Sequence, residues 1–224
     1  MMEMNISYLI DFNCPFSYIG LERIKKASEN LNLDVEWEIR PLELDPIDTK
    51  VPASSTAERY VEKYGLSPKE ALDEISQIEE IASDDGLKIN YKDMSPTSSN
   101  DALRLCKFCQ STHGEITLKL AEEIFHSNFI ENKNIADINV LRDIAISCGL
   151  EESEVNRILE NDFYSIEVYL DIEEAILYGI NTTPCFIVNN KGERLIIPGV
   201  LSTEEFETAL KDLIDGKIEE KTFV

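Results

Sequence analysis

One cysteine lies where its side chain could act as a nucleophile: Cys14, in the order Cys-Pro-Phe-Ser directly after an apolar run. Pro15 is typical of the first position of a helix, so Cys14 is expected at a helix N-terminus. Unpaired backbone N–H groups and the helix dipole favour negative charge at that position. Because they lower the pKa of a thiol, and the thiolate is its reactive form, we predict that Cys14 is a catalytic nucleophile.

Two neighbours of Cys14 could take part in its chemistry. Ser17 lies within reach across the first helical turn, where a Cys-x-x-Cys motif would carry its second thiol. Its hydroxyl can donate a hydrogen bond to the thiolate or cap the helix, but it cannot form a disulfide. Asp11, which precedes the cysteine, either moves protons at the site or only ends the strand, and the sequence leaves both roles open.

The hydrophobic pattern around this motif predicts a mixed α/β unit interrupted by helices. One helix begins at Pro15, and another covers residues 164–178. Between residues 56 and 161 apolar residues recur at helical spacing, which predicts a helical segment between the two ends of the chain. Four segments have the composition of strands, and they are residues 6–12, 35–39, 185–188 and 195–197.

Local signals also mark where these elements begin and end. Residues 189–192, Asn-Asn-Lys-Gly, predict the turn of a hairpin. Gly114 directly follows a helical pattern and predicts its end. Ser202, with Glu205 three positions on, predicts a capped start for a last helix.

Composition limits the partners and the compartment. The 224-residue chain carries 44 acidic and 21 basic residues, a formal net charge of -23. Such a surface repels phosphate backbones and anionic lipids, so we predict neither nucleic-acid nor membrane binding. The first residues lack the basic-then-apolar pattern of a secretory signal, and five cysteines, an odd number, do not fit a secreted disulfide framework. The expected location is therefore the cytoplasm.

The remaining cysteines raise two further hypotheses. Cys106, Cys109 and His113 share one helix face, at a spacing that suits metal ligands or core packing. A structural zinc site needs four ligands and no second pair follows, so we predict packing and no metal. Cys185 could serve as a second thiol for Cys14, but strand alternation would turn its side chain to the opposite face.

In this order and spacing, the motifs resemble those of a known family. The run Asp-x-x-Cys-Pro-x-x-Tyr-Ile-Gly, the helical segment, and Thr183-Pro184 ahead of a hairpin look like the DsbA-type thioredoxin-fold family, in particular its FrnE-like cytoplasmic branch. The resemblance extends from Ser7 to about Leu213. It implies an α/β, thioredoxin-like fold (β-α-β … α-β-β-α) with a large all-helical insertion. Residues 1–55 and 163–224 would form the thioredoxin-like domain, and residues 56–162 the inserted helical domain.

The resemblance also assigns roles to individual residues. Cys14 matches the attacking cysteine of the family, whereas Ser17 stands where most members have the second, resolving cysteine. Pro184 matches a proline that the family holds in the cis form, and the backbone of Thr183 would pair with a bound peptide or with glutathione. The predicted substrate-binding residues lie beside Cys14 in these two segments, and they are Pro15, Phe16, Thr183 and Pro184.

Three functions follow from these expectations. The leading hypothesis is a cytoplasmic DsbA/FrnE-like thiol–disulfide oxidoreductase that uses the single nucleophile Cys14, with an external thiol, or less readily Cys185, completing the cycle. The second is a glutathione-dependent transferase or isomerase that resembles the kappa-class and 2-hydroxychromene-2-carboxylate isomerase relatives, which usually have serine at the position of Cys14. The third is a non-catalytic thioredoxin-like binding or chaperone module.

The expected ligands are the same for the two enzymatic hypotheses. No bound cofactor is predicted, and glutathione is the candidate co-substrate. The substrate would be a protein or a small molecule that carries a thiol or a disulfide. A homodimer is an open alternative to a monomer.

Overall fold

A computed structural model describes residues 3–217, in which four strands form one mixed sheet in the order β2-β1-β3-β4. The strands are β1 (Glu3–Ile10), β2 (Asp34–Pro41), β3 (Cys185–Asn190) and β4 (Glu193–Pro198). β1 and β2 are parallel and are joined by the helix α1 (Pro15–Asn30), whereas β3 is antiparallel to both β1 and β4. Residues 1–2 and 218–224 of the predicted thioredoxin-like domain lie outside the described residues.

Eight further helices complete the described part of the chain. Seven follow β2 before the chain returns to the sheet, and the eighth follows β4. They are α2 (Thr56–Tyr64), α3 (Pro68–Asp84), α4 (Asn100–Thr112), α5 (Gly114–Phe129), α6 (Ile138–Cys148), α7 (Glu152–Leu159), α8 (Ser165–Leu177) and α9 (Thr203–Ile214). This order of elements confirms the predicted fold class. Within residues 3–217, no helix is long and apolar enough to cross a membrane.

Several predicted boundaries are wrong, and three of them have a clear local cause. β1 ends at Ile10, not at residue 12, because the backbone carbonyl of Asp11 already accepts the N–H of Cys14 in a turn. The hairpin turn is only Lys191 and Gly192, whose φ angles are 52° and 91°, so β3 continues through residues 189 and 190. Gly114 begins α5 instead of ending a helix, since the break falls one residue earlier.

The sheet and most of the helices share one hydrophobic core. Phe12 and Tyr18, from the motif end of the chain, pack on Phe125 of α5 with ring centroids 4.7 and 5.3 Å apart. The sheet residues Tyr8 and Phe186 stack at 4.8 Å within the same core. The position of the motif is therefore fixed by both the sheet and the inserted helices.

A second, smaller cluster covers the other face of the sheet. It consists of Leu9, Leu42, Ala175, Ile180, Cys185 and Ile187. Here α8 is held by ion pairs as well as by apolar contacts. Arg40 of β2 is buried and contacts Asp171 at 3.1 Å and Glu174 at 2.6 Å, and Lys107 of α4 reaches Asp171 at 2.7 Å. α8 therefore leads the chain into β3 from a defined position.

Gly20 of α1 lies where the N-terminal part of the chain packs closely against the segment that contains β3. A Cβ atom at Gly20 would lie 3.1 Å from Phe186, 3.2 Å from Pro184 and 3.3 Å from Val200. Alanine favours a helix over glycine by about 1 kcal/mol, but overpacking a closed core costs roughly 1–3 kcal/mol. We expect Gly20→Ala to lower the free energy of unfolding, measured by urea denaturation.

Gly114→Ala is the matched control, because Gly114 is also helical and has no atom within 4 Å of the added Cβ. It should leave the stability unchanged or raise it slightly. Equal free energies of unfolding for the two variants would contradict the close packing of α1 against Pro184 and Phe186.

Candidate active site

Cys14 is the N-cap residue of α1, directly before Pro15. Its backbone carbonyl accepts the N–H of Ser17 at 3.0 Å, which closes the first turn. Its Sγ lies 3.5 Å from the carbonyl oxygen of Thr183, a residue 169 positions away in the chain. The structure therefore brings together the two segments that the sequence marked separately.

Pro184 packs against α1. The Thr183–Pro184 peptide bond is cis. The carbonyl of Pro184 accepts the N–H of Gly199 at 2.8 Å, which ties the segment to the end of β4. Pro184 thus positions Thr183 beside Cys14.

The thiol of Cys14 does not have the lowered pKa that the helix N-terminus predicted. Burial raises its pKa above the ordinary value, and the carboxylate of Asp11 raises it further. Hydrogen bonds from Ser17 and Thr183 lower it by less. Ser17 belongs to the first turn of α1, so the helix N-terminus does lower the pKa, but by less than the loss of solvent raises it. The predicted low pKa is wrong, and the reason is desolvation.

Asp11 is a buried carboxyl group beside this thiol. Burial raises its pKa to about 7, and the nearby Glu43 raises it too. The N–H of Asn13, which donates to Asp11 Oδ1 at 2.8 Å, opposes the shift. Ser99 Oγ lies 3.5 Å from Asp11 Oδ1 and donates to Glu43 Oε1 at 2.6 Å. A carboxyl that titrates near neutral pH can both accept and donate a proton there.

Ser17 lies on the inner side of the motif and is fully buried. Its Oγ accepts the backbone N–H of Asp11 at 3.5 Å. Its carbonyl accepts a hydrogen bond from the hydroxyl of Tyr8. Ser17 therefore contacts both Asp11 and Cys14 but presents no reactive group to solvent.

A cleft of about 270 Å³ opens in front of Cys14. The predicted residues Pro15, Phe16 and Thr183 line it together with Cys14. α2 adds basic and aromatic side chains to the lining, which are Arg59, Tyr60, Lys63 and Tyr64, and Tyr91 lines the cleft as well. None of these five residues is among the predicted site residues. The sequence does contain a signal for them. Arg59 and Lys63 are four positions apart, as are Tyr60 and Tyr64, and this spacing places each pair on one side of a helix.

The other four cysteines are buried. Cys106, Cys109 and Cys148 lie in the main core. Cys185 belongs to the cluster on the opposite face of the sheet, and burial raises its pKa to about 11. Among residues 3–217, no three side chains of the usual metal-binding types come close enough to hold an ion.

Known proteins resemble this chain over nearly its full length. The family model described as a DSBA-like thioredoxin domain matches residues 5–211. The uncharacterized protein YwbO of Bacillus subtilis (strain 168) is 25% identical over 224 residues, which cover 94% of this chain and 98% of YwbO.

Two solved structures have the same architecture. The probable DsbA oxidoreductase SCO1869 from Streptomyces coelicolor superposes with a TM-score of 0.85 at 25% identity, over 99% of this chain and 94% of that one. The cytosolic disulfide reductase DsbM from Pseudomonas aeruginosa, solved with GSH, gives a TM-score of 0.63 at 14% identity, over 94% of this chain and 99% of that one.

Replacing Asp11 tests the coupling between the carboxyl and the thiol. Because the Asp11 carboxylate raises the pKa of Cys14, Asp11→Asn should lower that pKa while its amide oxygen can still accept from Asn13. The measurement is the rate of iodoacetamide alkylation against pH, with Cys14→Ser as the blank. An unchanged profile would contradict the coupling.

The same variant tests the pKa of Asp11 itself. A carboxyl whose pKa rises from 3.8 to about 7 on folding makes the folded state less stable as pH increases through that window. Asp11→Asn should therefore be more stable than the wild type at pH 8, by roughly 4 kcal/mol, since each pKa unit is worth ~1.4 kcal/mol. The gain should vanish below pH 4 in urea titrations, and a gain independent of pH would contradict the raised pKa.

Proposed function

The chain belongs to the DSBA-like thioredoxin family, and we propose that it is a FrnE-like thiol–disulfide oxidoreductase that acts through a single cysteine. The observation that carries this proposal is the position of Cys14, which lines a cleft and whose Sγ lies 3.5 Å from the Thr183 carbonyl oxygen. The four other cysteines are buried away from that cleft. The activity is therefore assigned to Cys14 alone.

The first step transfers a proton and forms a mixed disulfide. The Asp11 carboxylate accepts the proton of the Cys14 thiol, and the thiolate attacks one sulfur of a substrate R–S–S–R′. The bond between Cys14 and R forms as the R–R′ disulfide bond breaks, and R′ leaves as a thiolate. Asp11 then returns the proton to R′, which leaves as R′SH. The pKa near 7 of Asp11 allows both transfers at neutral pH.

The second step needs a thiol from outside the chain. Ser17 cannot attack the mixed disulfide, and Cys185 packs on the opposite face of the sheet. An external thiol R″SH gives its proton to Asp11 and attacks the sulfur of R, which forms R–S–S–R″ and releases Cys14 as a thiolate. The proton then returns to Cys14. Glutathione is the proposed external thiol, and the structure of DsbM with GSH supports that choice.

The neighbours of Cys14 have supporting roles in this scheme. Ser17 lowers the pKa of the thiol by hydrogen bonding, which favours the thiolate that attacks and leaves. Thr183 offers its backbone to the substrate, with Pro184 fixing its position, and Pro15 and Phe16 supply an apolar wall of the cleft. A reducing compartment such as the cytoplasm would supply the external thiol, so we propose that location.

The alternatives predict a different use of the same cleft. Transferases and isomerases of the kappa-class type usually have serine at the position of Cys14, and a thiol there favours exchange chemistry. A passive binding module has no need for a buried carboxyl with a pKa of about 7 beside a thiol. The oxidoreductase is therefore the preferred function.

Removal of the nucleophile gives the direct test. Cys14→Ala should lower the thiol-dependent reduction of a glutathionylated peptide by at least about a thousandfold, as expected when a nucleophile is lost. A glutathione reductase-coupled assay measures the rate. Cys185→Ala should retain the wild-type rate, since Cys185 lies on the far face of the sheet. Full activity of Cys14→Ala would end the proposal.

Restoring a second thiol tests the single-cysteine mechanism. The wild type treated with oxidised glutathione should accumulate a stable adduct at Cys14, because no neighbouring thiol releases it. Ser17→Cys, one helical turn away, should instead form an internal disulfide and lose the adduct. Intact-mass spectrometry distinguishes the two products. Adducts of equal lifetime in both proteins would contradict the role given to Ser17.

A further inference from the structure

Arg59 and Lys63 form a pair of positive charges in the lining of the cleft that Cys14 also lines. They lie one turn apart on α2, and both line the cleft. Their side chains are 30% and 46% exposed, so each can reach solvent as well as the cleft. In a chain with a net charge of -23, such a pair provides a local site for an anion where the surface as a whole repels one.

The pair already holds a carboxylate that belongs to the chain. Arg59 Nη2 lies 3.0 Å and Lys63 Nζ 2.8 Å from the same atom, Asp45 Oδ2. The hydrogen bond from Lys63 is the main cause that lowers the pKa of Asp45. Asp45 also lines the cleft and its side chain is 47% exposed. Because exposed ion pairs contribute little to stability, an incoming carboxylate can replace Asp45 at small cost.

The rest of the cleft fits a small ligand. Its volume is about 270 Å³, close to the lower limit of roughly 300 Å³ for small-molecule sites. Tyr60 packs edge-on against both Tyr64 and Tyr91, which gives the cleft a firm aromatic wall beside the charges. The same cleft thus contains the thiol of Cys14, an aromatic surface and two basic groups paired with Asp45.

We infer that Arg59 and Lys63 bind the carboxylate of a small anionic thiol that regenerates Cys14, and that Asp45 occupies this site until the thiol displaces it. The inference rests on the proposed function and specifies its external thiol. The bound thiol R″SH loses its proton to Asp11 and attacks the R sulfur of the Cys14–S–S–R adduct. R–S–S–R″ forms, Cys14 leaves as a thiolate, and the proton on Asp11 passes to it.

Three thiols that share a two-carbon spacer between the sulfur and the polar group, but differ in charge, test the inference on the 224-residue chain. Cys14 is first joined to 2-mercaptoethanol in a mixed disulfide. The adduct is then mixed with 3-mercaptopropionate, 2-mercaptoethanol or cysteamine, which carry a negative, zero and positive charge. Acid quenching and intact-mass spectrometry follow the loss of the adduct. Rates are expressed per thiolate, so that differences in thiol pKa are removed.

The wild type should react with 3-mercaptopropionate roughly threefold faster than with 2-mercaptoethanol, the size expected for a partly exposed ion pair. In the double variant Arg59→Gln/Lys63→Gln this ratio should fall towards one, and cysteamine should gain. Asp45→Asn should raise the ratio above that of the wild type, because the internal competitor is neutralised. Lys211→Gln, which removes a positive charge from α9 outside the cleft lining, should leave the ratio unchanged.

The possible results distinguish a failure of this inference from a failure of the proposed function. All three thiols could release Cys14 with the same ratio of per-thiolate rates in the wild type and in the double variant. In that case the inference is wrong and the proposed function stands. If Asp45→Asn does not raise the ratio, Asp45 is not a competitor and that half of the inference is overturned. If Cys14 forms no adduct, or no thiol releases it, the proposed function itself fails.

Discussion

The packing of Pro184 and Phe186 against Gly20 is the contact on which the site depends. It leaves no room for a side chain on that part of α1, and it places the Thr183 carbonyl 3.5 Å from Cys14 Sγ. The sheet makes this contact possible because β1 and β3 are neighbouring strands, with the last residues of one paired with the first of the other. The arrangement of the candidate active site is thus a consequence of strand order, and the motif alone does not create it.

The same close packing changes the acid–base properties of the site. Burial raises the pKa of the Cys14 thiol and moves that of Asp11 to about 7. A thiol with a raised pKa carries little thiolate at neutral pH, so its reaction needs a partner that takes the proton. In the proposed mechanism this partner is Asp11, whose pKa of about 7 lies within the neutral range and whose charge is coupled to that of Cys14. The proposal thus treats the two groups as one proton-exchanging unit.

Features with local causes could be predicted from the sequence. The α1 start at Pro15, the β3–β4 hairpin and the capping box of Ser202 with Glu205 follow from short-range signals, and the structure contains all three. The orientation of Cys185 was also predictable, because strand alternation applies to β3. These elements determine the fold class and the position of the nucleophile.

Features that depend on distant burial could not be predicted. The direction of the Cys14 pKa shift is set by how much solvent the surrounding elements remove, which the motif does not encode. The contribution of α2 to the cleft was missed because Arg59 and Lys63 look like ordinary surface charges until the fold places them in the lining of the same cleft as the thiol. The position of Gly114 at the start of α5 could not be predicted either. A glycine between two adjacent helical patterns can end the first helix or begin the second, and the local sequence does not distinguish the two cases.

The central claim is that Cys14 works without a second thiol of the same chain, and the stoichiometry of its reaction tests this most directly. Wild-type protein in the absence of other thiols is mixed with excess 5,5′-dithiobis(2-nitrobenzoic acid), and released thionitrobenzoate is followed by absorbance. The account predicts a fast phase of one equivalent per chain and a persistent adduct at Cys14. A fast phase of two equivalents, with a disulfide between Cys14 and Cys185, would contradict it.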